Sequence, residues 1–389
     1  MNIAIVTPGT LPVPPIKGGA VENLVYTLVR ENEFSNEPLQ IDVYSIEDDK
    51  LIETKQEINT KYFYVNKEKD RCKIIKNIKS KIEIRFNKFN FVTKVVNSMK
   101  GKKYEWVIVE NRPQYILQLK NCINSKIILH MHNEHLTSFK DYSRAIDACY
   151  KIVVVSEYIK FTILKRYNIS EKKIEVLNNG VDIKRFNIEG ADKKKLLRER
   201  YNLKESDFVI IFSGRLVREK GIIELLKSFN KVNKIYNMKL LIVGASWFSN
   251  DFDDKFTIEL KSIAKESLEN IIFTGYVNYD EIHNVYNTAD IAVLPSIWND
   301  PFPLTILECM AVGLPIISTQ SGGIPEMLDN KCGILLPIDE NIIENLSESI
   351  EYLFKNKNIR EKMKNLSREK VKLNFSTEVF YNNFLDLLN

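Results

Sequence analysis

The stretch Pro295-Ser-Ile-Trp-Asn-Asp300-Pro-Phe-Pro-Leu-Thr-Ile-Leu-Glu308-Cys-Met-Ala-Val-Gly-Leu-Pro315 decides how this chain reads. The run Ile291–Leu294 before it has the length and residue type of a buried strand. Pro301 and Pro303 fall in the loop that follows that run, the residues from Leu304 read as a helix, and Gly313 to Pro315 lead into a further apolar run. Strand, loop, helix and strand in that order form the repeating unit of a parallel sheet covered by helices. Asp300 lies on the loop and Glu308 on the helix, eight positions apart. A loop that opens a helix offers free backbone N–H groups to an anion, and carboxylates beside it can accept hydrogen bonds from sugar hydroxyls. The competing reading makes Asp300 a helix cap and Glu308 a solvated charge.

Outward from this stretch, short Val- and Ile-rich runs alternate with longer amphipathic segments. Strands are expected at Asn2–Thr7, Ile41–Ser45, Trp106–Val109, Lys126–Leu129, Ile152–Val155 and Ile174–Leu177. A second series follows the polar stretch Asn187–Ser206, at Phe208–Phe212, Lys239–Val243, Ile271–Phe273, Ile291–Leu294 and Pro315–Ser318. The chain therefore reads as α/β, with two Rossmann-like doubly wound domains at 1–185 and 186–372. Asn179-Gly180 supplies a turn just before the junction. After Pro337 the pattern is helical, and the last segment carries Val379, Phe380, Phe384 and Leu387 as one apolar stripe. This final helix, about 373–389, is expected to cross back to the first domain.

At 389 residues the chain is too long for one ordinary core, and 44% apolar with 28% charged is a globular balance. Its five cysteines, Cys72, Cys122, Cys149, Cys309 and Cys332, are scattered and odd in number, which favours reduced thiols in a cytoplasmic protein. No apolar run approaches the roughly 20 residues of a membrane helix, and no secretory signal pattern follows Met1. The net charge of +5 is unevenly placed, since Glu53 to Lys103 holds 15 Lys and Arg against 5 Asp and Glu. That basic segment, interleaved with Ile74, Ile78, Ile82, Phe86 and Phe89, reads either as a surface for an anionic membrane or as an ordinary solvated helix face. No nucleic-acid motif accompanies the charge.

Three further clusters carry chemistry. Ser213-Gly-Arg-Leu-Val-Arg-Glu-Lys-Gly221 puts Arg215 and Lys220 on a glycine-bearing loop after a strand, where doubly wound sheets bind ligands; alone it is equally a basic turn. Gly18-Gly19-Ala20 opens the first helix, and its glycines let backbone approach a phosphate. His130-Met-His-Asn-Glu-His135 is close to the His-x-His-x-Asp-His pattern of a hydrolase metal site, but only His283 remains to complete such a set. Asp251-Phe-Asp253 reads as surface or capping charge.

These motifs together resemble glycosyltransferase family 4, whose members carry a Glu-x7-Glu element in the frame that here reads Asp300-x7-Glu308. The smaller matches Val155-Ser-Glu157, Asn178-Asn-Gly-Val-Asp182, Gly275-Tyr-Val277 and Ser321-Gly-Gly-Ile-Pro-Glu326 fall in family order, and the likeness is densest from Ser213 to Pro337. The opening Leu11-Pro-Val-Pro-Pro-Ile-Lys-Gly-Gly-Ala20 is similar to that of bacterial spore-coat or capsule-type members. The resemblance implies a GT-B fold with a donor-binding cleft, and retaining transfer of a sugar from a nucleoside diphosphate to a glycan or lipid-linked hydroxyl. On the same basis Glu308 receives the donor ribose, Asp300 and His132 the donor sugar, and Arg215 and Lys220 the diphosphate. Gly18, Gly19, Gly275, Val277, Pro301, Phe302, Pro303 and Leu304 contribute donor-binding backbone or walls. Pro303 stands where the family usually has Gly, which removes one backbone donor. The two cations make a metal unnecessary, so neither metal nor cofactor is expected. A sugar-nucleotide hydrolase or epimerase on the same fold, or a non-catalytic sugar-binding protein, are the rival readings.

Overall fold

A computed structural model of the chain describes residues 1–53, 57–66, 91–138, 140–245 and 255–389. Most of the basic segment, with Lys73, Lys76, Lys79 and Lys81, and the Asp251-Phe-Asp253 stretch lie outside the described residues. Two compact units are formed, one by Met1–Asn178 with Phe380–Asn389 and the other by Asn179–Val379; the sequence divided the chain near 185 and 373.

Among the described residues, the first unit is built on β1 (Asn2–Val6), β2 (Gln40–Ile46), β3 (Thr60–Val65), β4 (Trp106–Glu110), β5 (Lys126–Met131), β6 (Lys151–Val154) and β7 (Ile174–Val176). They lie in the order β3-β2-β1-β4-β5-β6-β7, every pair parallel. The second unit holds β8 (Val209–Ser213), β9 (Lys239–Val243), β10 (Ile271–Gly275), β11 (Ile291–Leu294), β12 (Ile316–Thr319) and β13 (Gly333–Leu336), in the order β10-β9-β8-β11-β12-β13. In each sheet the order of winding reverses, between β1 and β4 and between β8 and β11. Connections there leave in opposite directions and open a crevice at the carboxyl ends of the strands. Two strands absent from the sequence reading, β3 and β13, are both edge strands. Thr60-Lys-Tyr-Phe-Tyr-Val65 holds three consecutive aromatics behind a lysine, and Gly333-Ile-Leu-Leu336 offers three apolar residues after a glycine, so neither stands out as a Val- and Ile-rich run.

The helix Ile222–Tyr236 shows how the second core is made: Ile222, Leu225, Leu226, Phe229 and Val232 recur at helical spacing and are all buried against β8 and its neighbours. Each such side chain contributes about 1.5–3 kcal/mol on burial. At the C-terminus the stripe read in sequence docks on the first unit, with Phe380, Phe384, Leu387 and Leu388 buried. Trp106 Nε1 donates to the Leu388 carbonyl at 3.1 Å and Tyr381 to Asn32 Oδ1 at 2.8 Å. Among the described residues no helix is long and apolar enough to cross a membrane.

Candidate active site

In the second unit the carboxyl ends of three neighbouring strands are fastened by glycines. Gly214 N–H donates to the Val243 carbonyl and Gly244 N–H to the Gly275 carbonyl, both at 3.0 Å. A Cβ on Gly244 would lie 1.9 Å from the Gly214 carbonyl oxygen. The loops that carry Arg215 and Val277 therefore start from one tight backbone seam, a closeness that any side chain there would forbid.

The Lys220 loop is tied in turn to the loop after β11. Glu219 carbonyl accepts from Ile297 N–H at 2.9 Å and from Ser296 Oγ at 3.2 Å. Gly221, at φ 69°, turns the chain into the helix Ile222–Tyr236 with no room for a Cβ, which would sit 1.9 Å from the Pro295 carbonyl oxygen. This contact brings the Lys220 ammonium onto the Asp300 carboxylate, where the two form a largely buried ion pair. Asp300 is itself seated on Gly322 and Gly323: its carbonyl accepts from Gly323 N–H at 2.9 Å, and a Cβ on Gly322 would meet it at 2.1 Å. Between these loops lies a pocket of ≈ 260 Å³, solvent at its mouth included, lined in part by Ser213, Lys220, Ser296, Asp300, Pro303 and Thr305.

Glu308, on the helix Leu304–Ala311, is buried and does not line that pocket. Its Oε2 accepts from the Tyr286 hydroxyl at 2.8 Å, and that hydroxyl lies 2.9 Å from Ser213 Oγ, so one chain of hydrogen bonds runs from Glu308 to the end of β8. Burial raises the Glu308 carboxyl to about 6, against the lowering effect of the Tyr286 and Tyr279 hydroxyls. Pro301 and Phe302 are buried wall residues, Pro303 caps the helix without a side-chain bond, and Leu304 begins it. Arg215 is exposed and pairs with no acidic side chain among the described residues. Gly275, at φ 69°, ends β10, and Val277 follows it.

The first unit holds the other expected groups. Gly18 and Gly19, at φ 71° and 107°, lead into the helix Ala20–Phe34. The carboxylate of Glu22 folds back over them, so that a Cβ on Gly19 would lie 2.3 Å from Glu22 Oε2. Burial pushes Glu22 up to about 7, although its own backbone N–H and Arg112 pull the other way. The helix start expected to meet a phosphate thus already holds a carboxyl of its own chain. His132 stands just past β5, its Nε2 2.7 Å from Glu110 Oε2 at the end of β4, and His130 Nδ1 lies 3.1 Å from the same oxygen. Burial alone would raise Glu110, yet the neighbouring imidazoles, His130 foremost, hold it down at about 2. Burial and then the His130 charge lower His132. These three side chains bring ligand-type atoms within 4.8 Å of one another, a set of donors that suits a divalent transition metal as well as it suits hydrogen bonding.

The structure thus joins Lys220 to Asp300 and links Glu308 to Ser213, while Arg215 follows β8 and Gly275 and Val277 lie at the end of β10, with β9 between them. Sequence reasoning passed over Tyr286, Tyr279, Glu22 and Glu110. Glu22 carried a signal, an acid in the first helical turn three residues after Gly19; a tyrosine inside an amphipathic segment carries none.

Two family models match the chain, Glycosyltransferase Family 4 over residues 41–185 and Glycosyl transferases group 1 over 193–370. Both units are glycosyltransferase domains. The pair of transferase domains is 27% identical to the putative glycosyltransferase YtcC of Bacillus subtilis over 97% of this chain and 89% of that protein. It is 26% identical to spore coat protein SA of the same organism, over 100% and 99%. Among solved structures it superposes on Anabaena Alr3699/HepE in complex with UDP with a TM-score of 0.78, 16% identity, and 100% and 99% of the two chains covered. The fold of these transferase domains is GT-B.

Proposed function

We propose that this glycosyltransferase moves a hexose-type sugar from a nucleoside diphosphate to a hydroxyl group, without a metal and with the α configuration kept. The observation that carries the reading is the Lys220–Asp300 pair beside the pocket at the carboxyl ends of β8 and β11, with exposed Arg215 on the same loop as Lys220. Two cations on a preorganised loop neutralise a diphosphate as it leaves, which is where electrostatic stabilisation counts most. The buried Glu308 accepts ribose hydroxyls, and the UDP held by the Anabaena protein of the same fold supports a nucleotide at such a site. The bond between the anomeric carbon and the phosphate oxygen breaks, the acceptor oxygen bonds that carbon from the same face, and its proton passes to the departing phosphate. The buried Asp300 carboxylate, engaged by Lys220, is poorly placed to act as a covalent nucleophile, which favours this front-face course.

The acceptor we infer is a glycan or lipid-linked hydroxyl of bacterial cell-surface polysaccharide or glycolipid synthesis, a reading that the likeness to a spore coat protein supports. The protein works in the cytoplasm, and the charge of residues 53–103 attaches it to an anionic membrane. Binding to phosphatidylglycerol vesicles that falls with salt tests the attachment. A thermal-shift panel of nucleotide sugars, followed by mass spectrometry and anomeric NMR of products, tests the function. Free sugar as the only product would replace transfer by hydrolysis.

A further inference from the structure

The register of the first sheet pairs Glu110 with His130, at the ends of β4 and β5, and His132 follows two residues later on the same side of the chain. Asn111, at φ 54°, turns the backbone directly after Glu110, and its side-chain oxygen accepts from the His132 backbone N–H at 3.4 Å. Arg112 then binds the Pro8 carbonyl through Nε at 3.2 Å, fastening this turn to the loop after β1. The result is one buried carboxylate held between two imidazoles whose ring centroids are 4.1 Å apart.

We propose that Glu110 is a positioning residue: by accepting an N–H from each imidazole it fixes His132 as the Nε2–H tautomer and leaves Nδ1 as a bare acceptor for a sugar hydroxyl. The identity of that hydroxyl rests on the transfer reading above; the tautomer does not. The Glu110 carboxylate oxygen lies 2.7 Å from His132 Nε2 and 3.1 Å from His130 Nδ1 and accepts from both, so the nitrogens that face it carry the hydrogen. A neutral imidazole carries one hydrogen, so with Nε2 donating to Glu110 the opposite nitrogen of His132 keeps a free lone pair. The geometry agrees, because His132 Nδ1 and His130 Nε2 are the two ring nitrogens of the pair that are buried with no hydrogen-bond partner. A nitrogen of this kind accepts from a hydroxyl and repels phosphate or carboxylate oxygen. It therefore selects the part of a ligand that carries hydroxyls and no charge. The role is one of orientation, like that of a buried carboxylate that sets the tautomer of a reactive histidine.

The test is long-range proton–nitrogen NMR of the full chain labelled at histidine nitrogen, with His132→Gln to assign the signals. His132 should show Nε2 protonated and Nδ1 bare, and Nδ1 should move when a nucleoside diphosphate sugar is added but not with the nucleoside diphosphate alone. Glu110→Gln, whose amide can donate as well as accept, should release the tautomer and lower turnover about 10²-fold with the donor KM within about twofold. A wild-type spectrum with Nδ1 protonated overturns the proposal, as does Glu110→Gln with unchanged tautomer and turnover. One zinc ion retained per chain through dialysis, and lost in Glu110→Gln, replaces it by a metal centre. The stated tautomer without binding of any nucleotide sugar refutes the sugar contact and the transfer reading together, while leaving the role of Glu110 standing.

Discussion

Lys220 and Asp300, 80 residues apart in the chain, form an ion pair that is largely shielded from water. The cation assigned to the donor diphosphate is neutralised by the acid assigned to the donor sugar until a ligand arrives. Removing Lys220 leaves a buried carboxylate alone, which costs a few kcal/mol when no partner remains. Lys220→Ala should lose about 2–3 kcal/mol of stability in urea unfolding, and adding Asp300→Asn should restore most of it. Turnover should stay 10²–10³-fold down in both, because the leaving group has lost its cation. The exposed Arg215 gives the contrast: Arg215→Ala should lose turnover to a similar extent with unchanged stability.

Glu308 makes a pH prediction. Its folded value of about 6 lies above the ordinary 4.5, so between these values the folded protein keeps a proton that the unfolded chain releases. Stability therefore falls as pH rises through this window, by on the order of 2 kcal/mol, and stays reduced above it. Glu308→Gln keeps an acceptor for the Tyr286 hydroxyl and has no charge to bury. The variant should lack this part of the slope and be at least as stable as wild type at pH 8, when both are unfolded in urea at several pH values. Nucleoside diphosphate affinity should nonetheless fall, and an unchanged dissociation constant would remove Glu308 from the nucleotide site.

Gly221→Ala should destabilise by about 2–4 kcal/mol and disable the Lys220 loop, since its Cβ would lie 1.9 Å from backbone oxygen of Pro295 at φ 69°. Gly101→Ala is the control. It has a similar φ of 79° but nothing within 4 Å of the added carbon, and should cost only about 1 kcal/mol. Thermal melts of the two variants side by side separate backbone strain from the steric clash.

Turnover should be the same with and without a chelator, because the proposed mechanism gives Arg215 and Lys220 the part that a divalent ion plays elsewhere. Loss of activity in a chelator, and recovery on adding back one metal, would turn attention to Glu110, His130 and His132.

The positions of most strands along the chain were legible because sheets buried on both faces need unbroken Val and Ile runs, which stand out from the amphipathic helices between them. The candidate residues Asp300, Glu308 and Lys220 stood out for a different reason, because segments that follow strand ends concentrate glycine, proline and charge. Strands β3 and β13 were hidden because neither carries a Val- and Ile-rich run, whereas β7 and β10, also at sheet edges, do show apolar β-branched residues. What a sequence lists as separate groups, the folded chain couples. Lys220 meets Asp300 only because Gly221 packs on Pro295, and Glu308 is raised only because its surroundings exclude water. Glu22 over Gly19 and Glu110 between two histidines are likewise products of the fold. Local sequence set the type and order of the elements through short-range periodicity; which charges meet, and in what dielectric, depends on contacts between distant segments that no periodicity records.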